Sequence, residues 1–323
     1  MFDTMGFYVR LSDSDYKKLI PQGTITARQH RPTEHIEFIY TNLRTSHSYD
    51  YQVSWRIDNK HHETSELGKG VIEVTGEPYL GFEFSAPKIL LGHNVDTIDQ
   101  ELMLEACLKV KESFEKMTGV DLPGPGEWFL NRVDICANYV LNSASEVPAY
   151  IRYLQRLDYP RRKPLLYKDE SIYFASRHNT FKIYAKGKEF RKHDLGRLTQ
   201  TKNAADNVLS LDGKLLQIRA NNILRIEVEL KKRIRYVTSK HELETGNPVL
   251  KFKYWPQFCD ALEIINFGRE MERVMEKFMI GEVTKVMRSD DVMRKLESVY
   301  GSRVARSYFA IYVQLVTLGC LFR

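Results

Sequence analysis

The chain has 323 residues, 43% hydrophobic and 11% aromatic, which is enough for a real core in one large or two ordinary domains. Cys107, Cys136, Cys259 and Cys320 show neither C-x-x-C nor metal-ligand spacing, and the first residues lack the basic-then-apolar run of a signal peptide, so we expect a cytoplasmic protein and not a disulfide or zinc scaffold. The net charge of +6 is unevenly placed: counting Lys and Arg against Asp and Glu, residues 1–150 carry −8, residues 151–250 carry +11 and residues 251–323 carry +3. The middle hundred residues are therefore the candidate polyanion-binding surface.

From about residue 5 to 95 apolar residues recur with period two. "HIEFIY", "YDYQVSWRI", "GVIEV" and "YLGFEFSA" read as strands, with His61 and His62 in a loop between them. A helix follows, since Met103, Ala106, Cys107, Val110, Phe114 and Met117 share one helical face, and "DLPGPGEW" breaks the chain after it. Next come the strand "FLNRVDICANYVL", a helix starting at Ser145 with Val147, Ile151 and Leu154 inward, and the strands "SIYFAS", "TFKIYAK" and "ILRIEVEL". A polar insert, about 191–220, separates the last two strands. Beyond 250 the period turns helical in "LEIINFGREMERVMEKFM", "SDDVMRKLESVY" and "SRVARSYFAIYVQLVTLG". The most apolar stretch, "YFAIYVQLVTLGCLF", is shorter than the roughly 20 residues of a membrane span and contains Gln314 and Thr317, so no membrane association is expected. No internal repeat is visible.

The expected fold is α+β: a central antiparallel sheet backed by helices. It divides into a β-rich part with one long helix (1–122), a catalytic sheet core (123–245) and a helical C-terminal part (246–323) that is a candidate DNA-binding element.

Three strands carry chemistry on one face. Strand alternation sets Arg132, Asp134 and Asn138 opposite the apolar Val133, Ile135 and Ala137; it likewise groups Arg225, Glu227 and Glu229, and Thr180, Lys182, Tyr184 and Lys186. Hard oxygen ligands such as Asp134 and Glu227 suit Mg²⁺ or Mn²⁺, which would polarise a phosphoryl group. Flanking lysines would favour the phenolate of Tyr184, and a tyrosine so placed is a candidate nucleophile toward DNA phosphorus.

On "SAPKILLGHNV" (85–95), "LNRVDICANY" (130–139), "SRHNTFKIYAKGKEF" (176–190), "LRIEVELKKR" (224–233) and "SRVARSYFAIYVQLVTLG" (302–319), the chain resembles the gene II replication initiators of filamentous bacteriophages and their plasmid relatives. The resemblance covers about 85–319, and the first 80 residues match poorly. It implies a rolling-circle nicking-joining endonuclease in which the Y-x-K tyrosine, Tyr184 followed by Lys186, attacks one phosphodiester at the origin. A 5′-phosphotyrosyl adduct and a free 3′-OH result, and the ends are later rejoined. It also implies Asp134 and Glu227 as metal-site carboxylates, with Val133 where the family has isoleucine.

Implied partners are single-stranded and supercoiled origin DNA and host helicase and DNA polymerase in a bacterial cytoplasm; whether the chain acts on DNA alone or as a dimer stays open. Several assignments stay open. Tyr173 competes as nucleophile; His93 is either a metal ligand or a structural residue; Glu229 is either a third carboxylate or a lysine's partner. Lys182, Arg177, His178, Arg132 and Arg225 are candidate DNA contacts. The rival readings are a non-enzymatic origin-binding initiator, and a conjugative relaxase, whose histidine cluster is absent here.

Overall fold

The structure, a computed structural model, describes residues 1–29, 36–43, 53–64, 71–156, 159–200 and 213–279, together with single positions between 293 and 308. Ten strands form one antiparallel sheet: β1 (Phe2–Arg10), β2 (Gly23–Gln29), β3 (Ile36–Leu43), β4 (Ser54–Thr64), β5 (Val71–Ser85), β6 (Phe129–Val140), β7 (Leu165–Tyr167), β8 (Ser171–Ala175), β9 (Asn179–Ala185) and β10 (Ile223–Leu230). The helices are α1 (Asp13–Leu19), α2 (Ala86–Leu91), α3 (Glu101–Thr118), α4 (Glu146–Leu154), α5 (Lys186–His193), α6 (Leu195–Gln200), α7 (Gly213–Asn221), α8 (Lys232–Thr245), α9 (Phe258–Ile264) and α10 (Phe267–Met279). The fold is α+β, as expected.

Sheet order is β2-β3-β4-β5-β1-β6-β10-β9-β8-β7. Read outward from the central β1/β6 pair, both sides give the same strand order, the second half adding α5–α7 between its fourth and fifth strands. Each half has a first strand, a short helix, three further strands, a fifth strand returning beside the first, and a helix directly after it. The registers agree as well. Met5 of β1 faces Phe84 and Val133, while Val133 of β6 faces Met5 and Leu230, so Phe84 and Leu230 are counterparts. Both α2 and α8 begin two residues beyond those counterparts, and they pack on β1 and β6 respectively. The amino-acid sequence shows no such repeat, because strand alternation specifies only which side chains face inward and leaves their identity free.

One sheet face is the main core. Met5, Phe7, Phe82, Phe84, Val133, Ile135, Phe181, Ile183, Ile226, Val228 and Leu230 point into it, as their period-two spacing predicts, and Phe2 joins them across a register shift between Phe2 and Met5. Helices cover that face through aromatic contacts: Phe114 of α3 meets Trp55, Phe258 of α9 meets Phe7, and Phe278 of α10 meets Phe174 and Phe181. Each large buried aromatic contributes about 2–3 kcal/mol by removal from water. On the opposite face, the β9–β10 connection (α5–α7) builds a second small core of Val95, Phe190, Leu198, Leu216, Ala220 and Ile223. That core walls one end of the face that carries the chemistry.

Several local expectations shift. "GVIEV" and "YLGFEFSA" are one strand, β5, and positions 61 and 62 lie within β4 where a loop was expected. The 262–279 helix is broken at Ile265, which is extended, giving α9 and α10. Most of the last two expected helices falls outside the described residues; the described positions there are helical except Gly301. No helix among the described residues is long and apolar enough to cross a membrane.

Candidate active site

The three expected chemical strands are neighbours in the order β6-β10-β9, and they bring Arg132, Asp134, Lys182, Tyr184 and Glu227 to one cleft of about 420 Å³. Asp134, Glu227 and Glu229 each place a carboxylate oxygen within 4.8 Å of the others. A second such group combines Asp3, Cys136 and Glu227. Three hard oxygen donors on adjacent rigid strands fit a divalent ion such as Mg²⁺ or Mn²⁺.

The Tyr184 hydroxyl donates to Glu227 Oε2 at 2.8 Å, and the residue is 8% exposed at the cleft floor. Its environment corrects the expected phenolate. Burial, reinforced by the Glu227 carboxylate, pushes the Tyr184 hydroxyl well above the usual phenol range. The two lysines that were to flank it are engaged elsewhere. Lys182 Nζ lies 2.5 Å from Glu227 Oε1 and 2.9 Å from Glu229 Oε2. Strand β9 ends at Ala185, so Lys186 opens α5, fully buried, with its ammonium 2.8 Å from Asn94 Oδ1 and 2.5 Å from Glu189 Oε2. Lys186 is a tie between α5 and the 92–96 loop and has no access to a substrate phosphate. Glu227, and not an ammonium, is the group that polarises the tyrosine.

Arg132 forks onto Asp134, with Nε and Nη2 at 2.9 and 2.7 Å from its two oxygens, and reaches Glu83 at 2.7 Å. Burial and the neighbouring Glu227 nevertheless push the Asp134 carboxyl up to about 8, against the opposing pull of Arg132 and Lys182. Glu229 is the reverse case: burial opposes its ionisation, yet Lys182 and Arg132 draw it down to about 2. Lys231 also pairs with Glu229, on its other oxygen, so three cations face the three carboxylates.

Arg225 was expected to face DNA, but it is completely buried. Its guanidinium donates to Asp3 Oδ2 at 3.0 Å, Asn138 Oδ1 at 2.7 Å and the Asn94 and Val95 carbonyls at 2.7 Å each, clamping the 92–96 loop onto the sheet. His93 in that loop is buried, accepts from the Val95 N–H on Nδ1 at 3.3 Å, and belongs to neither acidic group among the described residues. Arg177 and His178 form the exposed β8–β9 turn. Strand β9 begins at Asn179, and about 20 Å of strand separates that turn from Tyr184. Tyr173 pairs in register with Lys182, lines the same cleft half-buried, and stacks edge-on with Tyr167, ring centroids 5.4 Å apart.

Sequence reasoning missed Asp3 and Glu83. Each is an acidic residue in an otherwise apolar strand stretch, "FDTMGF" and "LGFEFS", and that isolation was the available signal. Although burial works against it, Arg225 holds the Asp3 carboxyl below its usual range, so Asp3 is an anchor for the clamp.

Residues 1–250 match the Phage CRI family, described as the N-terminal part of the gene II replication-associated protein. The chain belongs to that family. The match begins at residue 1, so it takes in the strands β1–β5 that the quoted motifs did not reach, and it stops before the 302–319 motif. No curated protein matches the chain. The Phage CRI family is one of rolling-circle replication initiators, in keeping with the resemblance to the filamentous phage gene II proteins, and nicking of DNA is its general activity. The acidic clusters of this chain are of the kind that holds a metal ion.

Proposed function

We propose that this Phage CRI family member nicks one strand of its replication origin through Tyr184 and later rejoins the ends. The observation that carries this reading is the Tyr184–Glu227 hydrogen bond of 2.8 Å inside the acidic cleft. Tyr184 Oη attacks the scissile phosphorus and Glu227 Oε2 takes its proton. The P–O3′ bond breaks and the departing O3′ takes up the proton that Glu227 collected, leaving a 5′-phosphotyrosyl adduct and a 3′-OH for the host polymerase. Asp134, Glu227 and Glu229 would hold Mg²⁺ or Mn²⁺, which supplies charge stabilisation to the phosphoryl oxygens. The two oxygens of Glu227 divide the work, Oε2 toward the tyrosine and Oε1 toward the acidic cluster.

In this reading Arg132 orients Asp134, and the exposed Arg177 and His178 contact DNA away from the scissile bond. The C-terminal segment 246–323 contributes to origin binding, host helicase and polymerase take over at the free end, and a second copy on DNA assists the rejoining. The protein acts in the bacterial cytoplasm.

Supercoiled DNA carrying the flanking intergenic region, incubated with Mg²⁺ or Mn²⁺ and then denatured in detergent, tests this. The wild type and Tyr173→Phe are expected to yield a covalent protein–DNA product, and Tyr184→Phe none. A product that persists in Tyr184→Phe and vanishes in Tyr173→Phe moves the nucleophile to β8. No product from any variant, on DNA that binds specifically, replaces the nicking reading with a binding-only initiator.

A further inference from the structure

Lys182 and Arg132 both face the three carboxylates, but they are held differently. Arg132 is fixed by a two-point fork on Asp134 and a third contact to Glu83. Lys182 is a single ammonium on a flexible stem that lines the cleft, 2.5 Å from one oxygen of Glu227 and 2.9 Å from one of Glu229. Two carboxylates from the same acidic group converge on that nitrogen, which is where an ion bridging them would stand. Metal–oxygen contacts for Mg²⁺ run at about 2.0–2.1 Å, so an ion on the same two oxygens would lie in contact with the ammonium. Two cations at that distance repel strongly in a poorly hydrated site. The position holds one of them at a time.

We propose that Lys182 is a tethered stand-in for the divalent cation: its ammonium fills the bridging position between Glu227 and Glu229 in the metal-free protein and swings toward the cleft mouth when an ion enters. This rests on the metal-centre reading above. The stand-in adds to the charge that Lys231 places on Glu229 and Arg132 on Asp134, at the expense of metal affinity. Once displaced, Lys182 is at the mouth of the cleft, where a DNA phosphate is its natural partner. Ion and DNA then favour each other's binding, since each relieves a cost the other would meet.

The test is Mn²⁺ binding to the full chain without DNA, read by electron paramagnetic resonance of free Mn²⁺, with melting temperatures followed in parallel. Lys182→Met and Lys182→Gln are expected to bind Mn²⁺ about tenfold or more tightly than wild type, the scale on which groups beside a metal site act. They should also gain more in melting temperature on Mn²⁺ addition. Lys182→Arg keeps the charge and is expected to bind no more tightly than wild type, and Glu227→Gln to bind more weakly. If Met proves unstable without metal, Gln and Arg still decide the matter, because they differ in charge and both retain polar reach. Unchanged or weaker affinity in Met and Gln, with binding still weakened in Glu227→Gln, overturns the stand-in and leaves the metal centre intact. Absence of Mn²⁺ binding in every variant overturns both.

Discussion

In the second half of the sheet Asp134, Glu227 and Glu229 crowd together, and their register counterparts in the first half are Gly6, Gly81 and Glu83. Lys182 and Tyr184 likewise correspond to Arg56 and Asp58. Two of the three carboxylates are thus replaced by the smallest residue, and the volume is reassigned. Cys136, beside Glu227, is small and leaves its Sγ 3.8 Å from that carboxylate; its counterpart Tyr8 is large, and a Cβ on Gly81 would stand 3.1 Å from the Tyr8 ring. At Gly6 a Cβ would stand 2.6 Å from Asn131 Oδ1 and 3.1 Å from Arg132 Cβ and Glu83 Cγ, so its absence lets Arg132 cross from the acidic cluster to Glu83. One topology therefore supports a reactive cleft on one side and a packed support on the other. What separates them is which member of each neighbouring pair carries the bulk.

The largest effect should come from exchanging equivalent carboxylates. Glu227→Gln and Glu229→Gln are each expected to lower nicking about a hundredfold or more, as loss of a preorganised charged group at a reacting centre does. Glu83→Gln, the counterpart of the second, should stay within about tenfold, and equal losses in initial-rate assays would erase the functional difference between the halves. Next, Gly6→Ala is expected to destabilise by about 1–3 kcal/mol through overpacking, with a lower denaturant midpoint at unchanged slope. An undiminished midpoint would mean that the support half does not need its glycine.

A smaller effect concerns the helices after the fifth strands. α8 is anchored by Arg233, whose Nε and Nη2 lie 2.8 and 2.7 Å from Glu270, with Arg273 also on Glu270 at 2.9 Å; α2 is anchored by Lys88 on Asp194 at 2.7 Å. Burial opposes ionisation of Glu270, but the two arginines hold it below the usual 4.5. A depressed carboxyl contributes stability that is fully present above that value and is lost as pH falls through the folded pKa. Glu270→Gln should therefore be less stable than wild type at pH 7, by about 1–2 kcal/mol, with the gap closing as pH falls below 4.5. A gap independent of pH would show that the ion pairing is not its source. The smallest expected effect is a coupling: Tyr8→Cys with Gly81→Glu, which copies the Cys136/Glu227 pair, should exceed the sum of its single variants by about 0.5–1 kcal/mol in a double-mutant cycle.

Much of the scaffold was legible in the chain. Period-two runs predicted β3–β6 and β8–β10, the Met103–Met117 spacing predicted α3, and the inward spacing of Val147, Ile151 and Leu154 predicted α4. The shared polar face of β6, β9 and β10 was also legible, because alternation fixes side-chain direction once the strands pair as neighbours. The electrostatics were not. Alternation put Lys186 in line with Tyr184, yet the strand ends one residue earlier, and Arg225, correctly assigned to the polar side, is roofed over by the 92–96 loop.

The sequence by itself determined the α+β class and, through the resemblance of its ordered motifs, the family, and it named Tyr184, Asp134 and Glu227 as candidates. The class follows from local spacing and the candidates from residue chemistry, which a linear chain carries in full. Tertiary structure alone decided that the tyrosine faces a carboxylate, that Lys182 sits between Glu227 and Glu229, and that Gly6 and Gly81 mirror two of the acids across the β1/β6 pair. Each depends on distances between strands far apart in the chain, and those distances exist only once the sheet has closed around its centre.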